Sequence, residues 1–463
     1  MSGSLLELLR ERSGQQFELH DRYLNTQMVR VLRTLGWDRN YVRAEGAYLY
    51  DEAGQRYLDL LSGFGVFALG RNHPHVVACL REALEGELPA LVQMDVSLLA
   101  GLLAERFLAL CPGALEKVFF TNSGAEAVES AIKFARCHTR RPGLVYCENG
   151  FHGLTMGALS LNGDEVFREG FGPHLPETHR IPFDDLEALE RVLASRSIAA
   201  FFVEPIQGHG VNVPDDAYLR EAAGLCRKHG TLFVADEIQT GLGRTGRMWA
   251  IDHWDVEPDI LLSAKALSGG FVPVGAVAMR KPIFDSLFSN LVRAPVHGST
   301  FSKNNLAMAA GIATLEVIEQ ENLVQNAAKI GEALLDDYRS MIGRYDWVTA
   351  VRGKGLMQAI EFAPPDTLKA KATWKLLDSA QKGLFSQLVI VPLFQDHHIL
   401  SQTAGHHHPV VKFLPPLTLS EEDRRWIVTA LETVVGNTQK VGGAIWDLGK
   451  RLAGAALRTK ARS

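Results

Sequence analysis

The sequence predicts an α/β fold in which a mainly parallel sheet carries helices on both faces and a smaller α+β part stands beside it. Three observations lead there. Between residues 98 and 320, short apolar runs alternate with amphipathic helical stretches, as parallel strands joined by crossover helices require. Beyond residue 330 that alternation gives way to a long helix and isolated strands. The length, 463 residues, exceeds what one compact core usually holds, so two or three domains built around one large one are expected.

The elements follow in chain order. Residues 5 to 36 place leucines and valines at helical spacing among charges, which predicts a helical arm. Tyr48-Leu49-Tyr50, the turn Asp51-Glu52-Ala53-Gly54 and Tyr57-Leu58-Asp59-Leu60 predict a hairpin. Buried strands are expected at 144–146, 200–203, 232–235, 260–262 and 274–278. In the C-terminal part a strand is expected near 356–360, then a helix, then a strand from the apolar run Leu388-Val389-Ile390-Val391. Ser420 predicts the start of a last helix as its N-cap. The expected division is an arm and hairpin over 1–60 that joins the small domain, a large domain over 61–330, and a C-terminal small domain over 331–463.

Composition excludes several classes. Hydrophobic residues make up 46% and charged residues 22%, an ordinary globular balance that leaves disordered and collagen-like chains aside. With 48 basic against 53 acidic residues the formal charge is -5, which gives no general attraction to nucleic acid or anionic membrane. Small molecules and other protein chains are the expected partners. Cys79, Cys111, Cys137, Cys147 and Cys226 are widely spaced with no C-x-x-C pair, so they are read as reduced thiols of a cytoplasmic protein. The first residues break their apolar run with acids and arginines, unlike a signal peptide, and no stretch reaches the roughly 20 apolar residues of a membrane span. His397, His398, His406, His407 and His408, near Gly405 and Pro409, are read as a solvated loop and not as a metal site. The basic tail around Ile445, Trp446, Leu448 and Leu452 is expected to pack one face on its own domain.

The chemistry concentrates at predicted strand ends. Asp236 closes the run 232–235, and Lys265 follows the run 260–262, so both face one edge of the sheet. Desolvation lowers the pKa of a lysine in such a place and suits it to form a Schiff base. A carboxylate nearby can keep a pyridine nitrogen protonated. A strand-end ion pair is the plainer reading of either residue alone. Upstream, Val118-Phe119-Phe120 leads into Thr121-Asn122-Ser123-Gly124-Ala125-Glu126 and a helix, where free amides and the helix dipole make a phosphate site. Ser-Gly before a helix is, by itself, usually only a cap.

With Phe151-His152-Gly153, Glu204-Pro205-Ile206-Gln207-Gly208, Asp236-Glu237-Ile238-Gln239-Thr240-Gly241, Ser263-Ala264-Lys265-Ala266-Leu267-Ser268-Gly269-Gly270 and His297-Gly298-Ser299-Thr300-Phe301, the chain resembles the class III, or ω-type, pyridoxal 5'-phosphate (PLP) aminotransferases of fold type I over nearly its whole length. The resemblance implies a mainly parallel, seven-stranded-type large sheet, PLP as cofactor and a homodimer with shared sites. It implies Lys265 as the Schiff-base lysine and proton shuttle, Asp236 as partner of the pyridinium, and Phe151 against the ring. It further implies Gln239 and Glu204 near the phenolic oxygen, Ser123, Gly124 and Ala125 on the phosphate, His152 at the cofactor, and Thr300 reaching the neighbouring subunit's phosphate. Plainer readings stay open for Phe151 as core, His152 as a turn residue and Glu204 as a structural acceptor. A racemase or isomerase on this scaffold would use Lys265 and Asp236 equally well, whereas a nucleotide-binding dehydrogenase lacks its Gly-x-Gly-x-x-Gly turn.

The chain departs from glutamate-using relatives at three places. Those relatives commonly carry Arg after Phe-His-Gly, Glu after Gln-Gly and Arg before Phe-Leu-Pro-Pro; here stand Leu154, His209 and Lys412. Neither leucine nor a lysine point charge reproduces arginine's two-pronged grip on a carboxylate. Phe64 and Phe67 are expected to add apolar surface near the substrate. A hydrophobic amine, aldehyde or ketone is therefore the expected specific substrate, with Lys412 steadying the carboxylate of a small donor such as alanine. The alternative is an acetylornithine, ornithine or 4-aminobutyrate type that uses 2-oxoglutarate.

Overall fold

The computed structural model describes residues 4–92, 95–366, 384–405 and 409–438 together with residues 371, 374 and 375. Its centre is a seven-stranded sheet in the spatial order Lys117–Thr121, Gly275–Met279, Ile260–Ser263, Leu232–Asp236, Ile198–Val203, Gly143–Cys147 and Thr178–Ile181. Gly275–Met279 alone runs against its neighbours; the other strands are parallel. The five predicted strands all stand in this sheet; four are extended by a residue or two at their ends, and the one expected at 274–278 is shifted by one residue to Gly275–Met279.

Strand alternation explains why helices cover both faces. Along Ile198–Val203, Phe201 enters one apolar cluster with the helices Tyr218–His229 and Asn305–Gln320, while Ala200 and Phe202 enter a second with the helix Gly124–Thr139. Every residue of that strand is buried, as a two-face-covered parallel strand demands.

The N-terminal arm is three short helices, Leu5–Glu11, Gln16–Tyr23 and Thr26–Leu35. The predicted hairpin forms from Tyr48–Asp51 and Arg56–Asp59, flanked by Tyr41–Glu45 on one side and the two-residue strand Ile399–Leu400 on the other. A third sheet orders Val348–Lys354, Met357–Phe362, Val410–Phe413 and Gln402–Thr403. Arg244, buried in the loop after Leu232–Asp236, donates to the carbonyls of Leu356 and Pro415 and so fixes this sheet over the strand ends of the large one. Ser420 caps the helix Glu421–Thr438, accepting from the Asp423 amide at 3.1 Å.

One expectation is corrected. Leu388-Val389-Ile390-Val391 lies inside the helix Leu384–His397, which runs through Pro392 and is apolar on nearly every described side. A short apolar run reads alike for a buried helix and a buried strand. His397 ends that helix and His398 packs edge-on against Tyr57 at 5.2 Å, so neither belongs to a solvated loop. The helix expected before residue 384 lies largely outside the described residues, as do His406 to His408 and the tail from 439. Among the described residues no cluster of ligands could hold a metal ion and no helix is long and apolar enough to cross a membrane.

Gly275 ties the sheet to the loop beside it. A Cβ there would press on the Thr121 hydroxyl and lie 2.7 Å from the Ser123 carbonyl, with backbone on one side and no flexible neighbour to yield. Gly275→Ala is expected to lower stability by about 1–3 kcal/mol through overpacking, read as a lower melting temperature. An unchanged melting temperature would show that the 121–123 loop moves freely.

Candidate active site

The strands Lys117–Thr121, Gly143–Cys147, Ile198–Val203, Leu232–Asp236 and Ile260–Ser263 end on one side of the sheet, and the residues that follow them line two adjoining cavities. The first, of about 430 Å³, is bordered by Glu204, Asp236, Gln239, Lys265 and Lys412 among others. The second, of about 650 Å³, runs along Asn122, Ser123, Gly124, Ala125, His152 and Leu154. Phe151, Ile238 and Lys265 border both.

Lys265 opens a short 3-10 turn, Lys265–Ser268, with its own φ at 37°. That left-handed backbone costs a residue with a Cβ and is met most often where function holds it. Burial draws the Lys265 amine below its ordinary pKa, against the opposing pull of Asp236 and Glu204. Asp236 is 2% exposed; one oxygen meets His152 Nδ1 at 2.7 Å and the other accepts from the Ile238 amide at 3.1 Å. Burial works against charge on His152, but the hydrogen bond and the charge of Asp236 outweigh it and hold the imidazole above its usual pKa.

Glu204 is buried and accepts from two amides, Phe151 and Gly208, each at 2.8 Å. Burial pushes its carboxyl up. Gln239 donates to the Phe64 carbonyl at 3.1 Å and turns its amide oxygen to Lys412 at 3.5 Å. Lys412, 4% exposed on Val410–Phe413, also donates to the Gly208 carbonyl at 2.8 Å. Ser123 caps the helix Gly124–Thr139, whose first amides have no acceptor within the helix and point outward as donors. A Cβ at Gly124 would meet the tip of the Ile238 side chain at 2.9 Å, so glycine lets the two pack closely there.

The remaining expected residues scatter. Phe64, 60% exposed, borders the first cavity, as does His209, whose ring lies 5.4 Å from that of Phe151 and 5.7 Å from that of Phe167. Leu154 borders the second cavity and not the first. Phe67 borders neither; its ring packs on Gly63 and Gly270 beneath the Arg71 guanidinium, 3.9 Å away. Thr300 is exposed and borders neither, although Ser299 beside it accepts from Asn122 at 2.6 Å.

A family model described as Aminotransferase class-III matches residues 34–435. The chain belongs to the class-III aminotransferases. A Serratia aminotransferase, PigE, is 34% identical over 90% of this chain, which spans 52% of that protein's length. An ornithine aminotransferase of Bacillus cereus is 38% identical over 85% of this chain and 93% of its own. Among solved structures, the ornithine aminotransferase of Toxoplasma gondii superimposes with a TM-score of 0.82 at 31% identity, covering 95% of this chain and 99% of its own. As a class-III aminotransferase the chain is a PLP-dependent transaminase of fold type I, and the residues present fit that cofactor. A buried amine, a buried carboxylate held by a fixed imidazole, and an open helix N-terminus border these two adjoining cavities, and the amine borders both.

Sequence reasoning did not foresee three features of this class-III site. The Asp236–His152 contact joins residues 84 apart, and no local pattern reveals it. Phe167 borders the first cavity but stands in no motif, and Gln402 and Thr403 come from a two-residue strand too short to carry a period. Asp236→Asn is expected to keep the cofactor bound but to lower turnover at least 100-fold, because a neutral side chain cannot hold a proton on the ring nitrogen. Single-turnover kinetics at the wild-type rate would overturn that role.

Proposed function

We propose that this transaminase moves an amino group between a small amino acid donor and an aldehyde or ketone that carries a hydrophobic group. The observation that carries the reading is the lining of the cavities: among the described residues no arginine borders either one, and the lysines that do are Lys265 and Lys412. A second carboxylate therefore meets no guanidinium fork. Phe64, Phe151, Phe167 and Ile238 supply apolar wall instead.

PLP, when bound, supplies a carbonyl for the amine and a ring that draws electrons from the reacting carbon. We assign Lys265 Nζ to hold the cofactor and to carry the proton between the reacting atoms, a task favoured by burial, which works against charge on its amine. Asp236, locked by His152, would hold the proton on the ring nitrogen. Ser123, Gly124 and Ala125 would hold the phosphate, Phe151 would cover the ring, and Gln239 would stand near the phenolic oxygen. Glu204 acts by tying the Phe151 and Gly208 amides together.

The same proposal includes a homodimer with shared sites. Thr300 and Phe301 are exposed beside Ser299, and Leu291 and Val292 are 94% and 85% exposed, an apolar edge suited to a second copy. Cytoplasmic placement is supported by five cysteines without a disulfide.

Mixing the PLP form with long-chain amines, with alanine and with ornithine or 4-aminobutyrate, while timing cofactor bleaching, tests the substrate. Apolar amines are expected to react at least tenfold faster than ornithine. The reverse order would favour the 2-oxoglutarate-linked reading, to which the ornithine aminotransferase of Bacillus cereus points. For the assembly, Thr300→Ala is expected to weaken PLP retention about tenfold, the loss of one charge-assisted hydrogen bond. A fully active monomer in sedimentation would contradict the shared site.

A further inference from the structure

On the substrate reading above, this transaminase seats two unlike molecules in one place, an amino acid with its carboxylate and a carbonyl partner without one. Lys412 bears on how this chain does so. Its amine is buried in the wall of the first cavity, and no acidic group lies within 4.0 Å of it among the described residues. Two carbonyl oxygens, of Gly208 and of the Gln239 side chain, accept its hydrogens. A neutral amine has two hydrogens, which those oxygens use; a protonated one has a third, left for the cavity.

We propose that Lys412 anchors the carboxylate of the amino donor by taking up a proton as that carboxylate binds, and releases the proton when an apolar carbonyl compound takes the same place. The inference rests on the apolar-substrate reading above. Other chargeable groups around the amine are Lys265 and Glu204, which act on it directly, with Asp236 and His209 on the same cavity wall and the Arg352–Glu361 pair on the adjoining strands. Burial, with the charge of Lys265, lowers the Lys412 pKa to about 7, against the pull of Glu204. The amine is thus poised to be neutral or charged at small cost, whereas an arginine would keep its charge whatever occupied the cavity. The balance is simple: one proton from solvent, one amine and one carboxylate give one ammonium–carboxylate pair, and no covalent bond changes.

The test uses the holoenzyme and propionate, which has the donor's carboxylate but no amine to react. Calorimetry in buffers of different ionisation enthalpy counts protons per ligand bound. Close to one proton is expected at pH 8, where the free amine is neutral, and far less at pH 6, where it is already charged. Lys412→Met should bind propionate on the order of tenfold more weakly or worse, without uptake. Lys412→Arg should restore binding and still show no uptake, a result that a purely structural lysine would not produce. Uptake that persists in Lys412→Met, or propionate binding to wild type without uptake, overturns the proposal. The substrate reading fails separately: wild type that prefers ornithine to every apolar amine would sink it even with the proton count as expected.

Discussion

The contact between Asp236 and His152 is the constraint on which the site depends. A carboxylate 2% exposed at the end of a central strand loses its water, and isolated it would be costly enough to be neutralised. The imidazole at 2.7 Å and the Ile238 amide at 3.1 Å replace that water with fixed donors. The pair then dictates its surroundings. His152 must reach the strand end, so the 147–153 turn is held close, and Gly153 is needed where a Cβ would press 2.8 Å from Ala125. The turn that orients the carboxylate's partner is therefore the one that packs against the start of the helix Gly124–Thr139.

Much of this was legible in the sequence because it is local. Apolar runs that alternate with helical stretches mark the large sheet, and a charged residue straight after such a run is placed at a strand end by periodicity alone, as with Asp236 and Lys265. The Ser420 cap reads the same way. What was not legible needs distance or context. Leu388 to Val391 carries no period that separates helix from strand, and only its burial on all described sides explains the helix. Phe67 follows Phe64 at a spacing that suggests a shared surface, yet the turn at Ser62–Gly65, with Gly63 and Phe64 at positive φ, sends the two rings apart.

Charge and burial are balanced across the cavity, not residue by residue. Glu204 is pushed toward its neutral form and Lys265 and Lys412 away from their charged forms, all by the same loss of water. Each remaining charge then acts strongly on the others, because little solvent lies between to screen it. A family motif fixes which groups are present; the depth of the cavity fixes how they titrate.

The hydrogen bonds join into one path. The Phe151 and Gly208 amides meet on Glu204, the Gly208 carbonyl accepts from Lys412, Lys412 reaches Gln239, and Gln239 donates to the Phe64 carbonyl at the exposed edge of the cavity. Five segments distant in the chain are thereby held by side chains that also face the ligand space. Residues in one such network do not contribute independently, and coupling energies of roughly 0.5–3 kcal/mol are usual. Lys412 and Phe151 are accordingly coupled, since a change in what Lys412 donates to alters the position of Gly208 and, through Glu204, of the Phe151 backbone on the opposite side of the same cavity.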